Sequence, residues 1–256
     1  MAQAMVTLAR DLHRRRGRER RGLTLAEGIR LVEEALAAGV PMRGAVGSAA
    51  LEATPRGAAL ATSIRERAIP LEMVDDATFA SVSDTEHPQG IVAIVACPSW
   101  TLADLHWRDG STMLLLDGVQ DPGNAGTILR TAFALGADGV VALPGTVDLS
   151  NPKVMRGAMG ASFRLPHVAA DQNSCLAWIE SGQAELWVAD AAGTPVPRGD
   201  RPPRLALAVG NEGAGGGAIL REHAARQVAI PLRAGAESLN VAVATALLLH
   251  EVMRVD

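Results

Sequence analysis

Short apolar runs rich in β-branched residues recur along this chain with helical patterns between most of them, and that alternation constrains the fold more than any other feature. The runs cover 44–47, 71–74, 91–96, 112–116, 139–143, 185–189, 204–209 and 227–231, and the helical patterns cover 25–38, 58–67, 126–135, 152–162, 175–181, 218–225 and 238–253. Strands that alternate with helices join by right-handed crossovers, so the expected class is α/β with a mostly parallel sheet. The turn-rich stretch from Cys97-Pro98-Ser99 to Asp109-Gly110, with Trp100 and Trp107, interrupts the rhythm. A boundary there predicts an N-terminal domain over 1–100 and a C-terminal domain over 108–256.

Two helices stand out. Leu25, Ile29, Val32, Leu36 and Val40 recur at helical spacing, with Gly39 ending the helix, and predict a core-facing stripe. The last helix, from Ser238, carries Leu239, Val241, Val243 and Ala246–Leu249 on every side, which predicts burial in its own domain or against a partner chain.

With 48% hydrophobic and 20% charged residues the chain has the material for real cores and is not a disordered interaction protein. Its net charge of −4 taken alone argues against a nucleic-acid partner. The charge is uneven, however: Arg10, Arg14, Arg15, Arg16, Arg18, Arg20 and Arg21 stand against only Asp11 and Glu19. That stretch reads either as a phosphate clamp or, more economically, as a solvated helix face. Cys97 and Cys175 make neither a disulfide framework nor a zinc site. The arginines lie where a secretory signal would need an apolar stretch, and the apolar run at 239–249 is broken by Asn240 and too short for a bilayer, so a soluble cytoplasmic protein is expected.

Several catalytic signatures fail. Lys153 is the sole lysine and no Gly-rich loop precedes it, which excludes a P-loop, and GNEGAGGG after Val209 lacks the dinucleotide spacing. His250-Glu251 has no second histidine, and the S-x-x-K spacing at Ser150–Lys153 contains Pro152, which suits a helix start better than a nucleophile.

Three segments put polar residues in unusual places. In DGVQDPGNAGTILRTAFALGADGVV (117–141), Asn124 sits at a helix entrance, where an N-cap is the plain explanation, and Arg130 lies among Ile128, Leu129, Ala132 and Phe133. In RLALAVGNEGAGGGAI (204–219), a buried strand ends at Val209 and turns through Gly210, Asn211, Glu212 and Gly213, placing Glu212 at a pocket rim or simply in a tight turn. In IPLRAGAESLNVAVATALLLHE (230–251), Ser238 can cap the helix, whereas Asn240 falls inside its first turn, where a buried amide needs partners that a ligand could supply.

In this order and spacing the three segments resemble the three motifs of the SpoU (TrmH) family of RNA ribose methyltransferases, of the SPOUT class. The resemblance extends through NPKVMRGAMGASFRLP, and LAEGIRLVEEALAAG with SDTEHPQGIVAIV resembles that family's small RNA-binding domain. It implies a trefoil-knotted α/β methyltransferase domain over 108–256 behind an N-terminal RNA substrate-binding domain over 1–100, and a homodimer formed partly through the C-terminal helix. It also implies S-adenosyl-L-methionine held largely by main chain around Gly210, Ile230 and Leu239, flanked by Val209 and Leu232. The family's catalytic positions fall on Asn124, Arg130, Glu212, Ser238 and Asn240, with Arg156 as a supporting landmark and no metal required.

The implied reaction is methylation of a ribose 2′-hydroxyl, in ribosomal RNA rather than transfer RNA because of the separate N-terminal domain. Two rivals are a catalytically dead RNA-binding homologue acting in ribosome assembly, against which the complete catalytic set argues, and an acidic small-molecule binder, against which the Arg-rich start argues.

Overall fold

The computed structural model describes residues 2–196, 199–210, 217–236 and 238–253. Its helices are α1 (Ala2–Leu12), α2 (Arg15–Arg21), α3 (Ile29–Ala37), α4 (Ala49–Glu52), α5 (Pro55–Glu66), α6 (Asp76–Ala80), α7 (Pro122–Leu135), α8 (Pro152–Ala158), α9 (Gln172–Ser181), α10 (Gly217–His223) and α11 (Val241–Met253). Its strands are β1 (Leu23–Glu27), β2 (Met42–Gly47), β3 (Leu71–Met73), β4 (Ile91–Ala96), β5 (Thr112–Asp117), β6 (Gly139–Ala142), β7 (His167–Ala169), β8 (Glu185–Pro195), β9 (Leu205–Gly210) and β10 (Arg226–Ala229). No helix of the described residues is long and apolar enough to cross a membrane.

The chain divides into two compact units, Met1–Pro98 with Asp148–Phe163, and Ser99–Val147 with Arg164–Asp256. The expected break near residue 100 is thus joined by an excursion: Asp148–Phe163, expected in the C-terminal domain, packs into the first unit. The reason is apolar burial. Met155 and Phe163 fill the core formed by Leu31, Val32, Ile64 and Ile91.

The first unit has a mixed sheet in the order β1-β4-β2-β3, in which β4 runs antiparallel to both β1 and β2, and only β2 and β3 are parallel. The expectation of a mostly parallel sheet therefore fails here. The helix expected over 25–38 also begins later, at Ile29, because Leu23–Glu27 pairs with Val92–Ala96 as a strand. Gly28, at φ 98°, makes the break between strand and helix, and the Gln89 side chain accepts the first helical N–H, from Ile29, at 2.9 Å. Leu25 shares helical spacing with Ile29 and Val32 but is buried on the sheet instead.

Most of the N-terminal arginines are used internally. Arg10 donates to Ser81 Oγ, Arg15 pairs with Glu19, and Arg20 and Arg21 both reach Asp11. Arg18 is 2% exposed, pairs with Asp148, and donates to the carbonyls of Leu12 and His13 at 3.0 Å. Asp148 in turn accepts from the Ser150 hydroxyl, and Pro152 opens α8 as expected. Burial works to raise the Asp148 carboxyl, but hydrogen bonds from Arg18 and Ser150 hold it below its ordinary 3.8.

The second unit has a wholly parallel sheet in the order β10-β8-β9-β5-β6-β7. Met113, Leu115, Val141, Val188, Ala206 and Ala208 belong to one core, with Cys175 and Ile179 of α9 and Leu220 of α10. Their alternates Leu114, Leu116, Val140, Leu207 and Val209 are also buried, on the face where α7 and α11 pack against each other and against the sheet. Burial on both faces explains why these strands read as continuous apolar runs.

Removing one partner of a buried ion pair leaves the other unpaired, so Arg18→Ala is expected to cost about 3–5 kcal/mol in urea unfolding. Because the folded Asp148 carboxyl lies below 3.8, its stabilisation is present above that pH and is lost as pH falls through the folded value. Asp148→Asn should flatten the stability profile in that acid window.

Candidate active site

All strands of the second unit run the same way, so their carboxyl ends share one edge of the sheet. The chain leaves β5 toward β6 and β7 on one side, and later leaves β9 toward β10 on the other side of β8. The β5–β9 pair is therefore the switch point at which connections diverge, where an open α/β sheet forms a crevice. Asp117 and Gly210 face each other across that pair. A Cβ at Gly210 would come within 2.5 Å of the Asp117 carbonyl oxygen, so only glycine lets the strands close there.

Two helix N-termini converge on the crevice. Asp121 caps α7, its carboxylate accepting the Asn124 N–H at 2.7 Å, so Asn124 is not the N-cap expected from its position. Its side chain is instead turned to another element: Asn124 Oδ1 accepts from Asn240 Nδ2 at 3.0 Å. Asn240 Oδ1 accepts the N–H groups of Ala242 and Val243 at 2.9 and 3.4 Å, which makes Asn240 the cap of α11. This corrects two expectations. The helix starts at Val241 rather than Ser238, and Asn240 is an exposed cap rather than a buried amide. Ser238, the expected cap, makes no side-chain hydrogen bond among the described residues.

The crevice is a cavity of about 500 Å³. It gathers Asn124, Ser238 and Asn240 with Val209, Gly210, Ile230, Leu232 and Leu239, so residues scattered over three segments of sequence share one wall. Val228, Val241, Ala244 and Leu248 add apolar surface, and Gln120 and Asp121 add polar groups from the β5–α7 turn. Among the described residues, the main chain of Ile230, Leu232 and Leu239 makes no hydrogen bond and is available to a ligand.

Arg130 and Arg156 are not gathered there. Arg130 lies on the exposed side of α7, outside the cavity lining, with no hydrogen bond or ion pair among the described residues. Glu212 lies outside the described residues. Arg156 belongs to the first unit, where it donates to the buried Glu27 at 3.0 Å beside Asp84. Sequence reasoning missed Asp121, whose signal was present in Asp121-Pro122, a capping residue followed by proline at the first helical position. It also missed Ala189–Ala191, which line the cavity from within the long strand β8 and carry no periodic mark.

The final apolar helix is only partly buried. Val243 is 50% exposed, Leu247 and Phe133 of the adjoining α7 are each 43% exposed, and Ala242, Leu248, Leu249 and Val252 face inward.

Residues 111–250 match the model of the SpoU rRNA methylase family, and residues 4–93 match that of the MRM3-like substrate binding domain. The chain is similar to the 23S rRNA (guanosine(2553)-2′-O)-methyltransferase RlmP of Bacillus subtilis, with 36% identity covering 94% of this chain and 92% of that protein. It is also similar to an AdoMet-bound rRNA methyltransferase from Sinorhizobium meliloti, with a TM-score of 0.85 and 30% identity over 97% of this chain and 93% of that one. The SpoU methyltransferase AviRb from Streptomyces viridochromogenes, in complex with AdoMet, superposes with a TM-score of 0.84 at 27% identity over 98% and 97% of the two chains. A relative aligned over nearly the full length and a family model covering the whole crevice-forming region agree, and this chain belongs to the SpoU rRNA methylase family.

Proposed function

We propose that the protein is an RNA 2′-O-ribose methyltransferase that acts on ribosomal RNA in the cytoplasm, as a homodimer with a trefoil-knotted C-terminal domain. The observation that carries this reading is the junction of two helix N-termini by Asn124 and Asn240 at the mouth of a single cavity. The family membership and the rRNA methyltransferase names of the relatives support it.

The cavity fits S-adenosyl-L-methionine. Its size lies in the range of about 300–1,000 Å³ common to cofactor sites. The apolar surfaces of Val209, Val228, Leu232 and Leu248 suit a flat base, and the free main chain of Ile230 and Leu239 can read the edge of that base. The methyl donor supplies an electrophilic methyl group on a sulfonium. The protein's part is to bring a ribose 2′-hydroxyl in line and to stabilise the charge that grows on its oxygen. Asn240 fixes the Asn124 carbonyl, which leaves the Asn124 amide protons directed to substrate, and the Ser238 hydroxyl adds a further donor or acceptor. A guanidinium stays protonated in proteins, so Arg130 is not the base. We assign it to the developing oxyanion and the neighbouring phosphate, and Glu212 to the ordering of the same site.

The knot is supported by the path of the chain. β10 pairs at the edge of the sheet beside β8, whereas α11, which begins after residues 230–240, packs on α7 and β9 in the middle, so the chain crosses back over the strand ends. The dimer is supported by Phe133, Val243 and Leu247, apolar groups left exposed on two adjoining helices. Arg130, on the exposed side of the same α7, then sits near the subunit boundary.

Transfer of tritium from labelled S-adenosylmethionine into ribosomal RNA from cells lacking this gene tests the activity. RNA binding without label would favour the dead homologue, and label in transfer RNA would redirect the substrate. Arg130→Lys keeps the charge but loses the bidentate fork, and turnover is expected to fall on the order of 10²-fold with donor affinity retained. Near-normal turnover would refute the assignment. Val243→Glu should shift sedimentation from dimer to monomer without changing the circular dichroism spectrum, since that side chain is half exposed within one chain.

A further inference from the structure

One buried acid at the end of the central strands has no hydrogen-bond partner among the described residues and no part in the methyl transfer. Asp117 ends β5, is 7% exposed, and its Oδ1 has no hydrogen-bond partner among the described residues. It lines a second cavity, of about 190 Å³, together with Gly217, Leu220 and Arg221 of α10. The two cavities share Ala189, Asp190, Ala191, Val209 and Gly210, so they meet over the ends of β8 and β9.

The charges in this smaller cavity do not balance. Arg221 Nε is paired with Asp190 Oδ2 at 2.8 Å, which leaves the Asp117 carboxylate in excess. Burial pushes the Asp117 carboxyl above its ordinary 3.8, with the charge of Arg221 acting in the other direction. An acceptor kept buried without a donor is costly, and the chain tolerates it where a ligand brings the missing group. Outside its nucleoside, the methyl donor is an α-amino acid carrying one ammonium and one carboxylate. A small chamber that opposes a carboxylate to a guanidinium is complementary to that zwitterion and too small for the nucleoside, which the larger cavity admits.

Resting on the methyl-donor reading, we infer that Asp117 receives the ammonium of the donor's amino-acid end in the chamber beneath α10, with the Nη groups of Arg221, whose Nε is held by Asp190, beside it for the carboxylate. Asp117 is thereby a specificity residue for the intact donor rather than a support of the fold alone.

Calorimetry on the full chain tests this with two ligands, S-adenosylhomocysteine and 5′-methylthioadenosine, which share the thioether nucleoside but differ in the amino-acid end. Asp117→Asn is expected to weaken S-adenosylhomocysteine by about tenfold or more, the worth of one charge-assisted hydrogen bond. Affinity for 5′-methylthioadenosine should stay within about twofold, which also reports that the variant is folded. Equal weakening of both ligands, or no change in either, overturns the inference. A second comparison needs no variant: the wild-type protein should bind S-adenosylhomocysteine about tenfold or more tightly than its deaminated analogue, and equal affinities overturn it. Wild-type protein that binds neither S-adenosylhomocysteine nor 5′-methylthioadenosine would remove the methyl-donor reading itself, a failure distinct from the others.

Discussion

The hydrogen bond from Asn240 to Asn124 ties together parts of the chain more than a hundred residues apart, and the architecture of the cavity depends on it. Each amide has a local task as well. Asn240 caps α11 through its oxygen, and the turn that holds Asn124 is capped by Asp121. One side chain therefore starts a helix with its carbonyl and fastens it to another with its amide. α7 and α11 also pack against each other, and the link adds a fixed point at their N-terminal ends, where the exposed residues 238–240 lead into α11. A site that acts by positioning requires such a restraint, because small displacements of donor groups forfeit much of their effect.

The first unit shows the opposite use of polar residues. A run of arginines beside a basic-looking helix suggests phosphate binding, but the fold uses most of these side chains to hold itself together. Arg18 is buried against Asp148, and Arg156 meets Glu27, which also accepts from Ser83 and Thr85. Both pairs join the N-terminal chain to residues 148–163, an excursion that returns to the second unit at Arg164. Arg14 and Arg16 remain exposed and unpaired among the described residues, so any phosphate contact from this stretch falls to a smaller set than the sequence count suggests.

How much was legible depended on the range of the interaction. The central strands β5, β6 and β9 were readable because burial on both faces leaves an unbroken apolar run, and β4 was readable at its full length for the same reason. β1 was read as helix because Leu25 happens to fall in register with the stripe of α3, and only its pairing with β4 identifies it as a strand. β7 is three residues long and has no period to detect. Asn124, Ser238 and Asn240 could be named from their segments, yet their local roles were misread, because a capping assignment turns on where the helix starts and on a partner distant in sequence.

From its own order of residues the chain determined the α/β class, the parallel sheet of the second unit and the identity of the three segments that build the cavity, since hydrophobic period, turn residues and motif spacing are local properties. Only the tertiary structure decided that 148–163 joins the first unit, that Arg18 and Arg156 serve the fold, that Arg130 stands outside the cavity of its own chain, and that Asp117 is buried with an oxygen unpaired. These outcomes depend on which distant groups arrive as neighbours, and partner choice over long separations is set by packing and charge compensation in the assembled molecule rather than by any pattern along the chain.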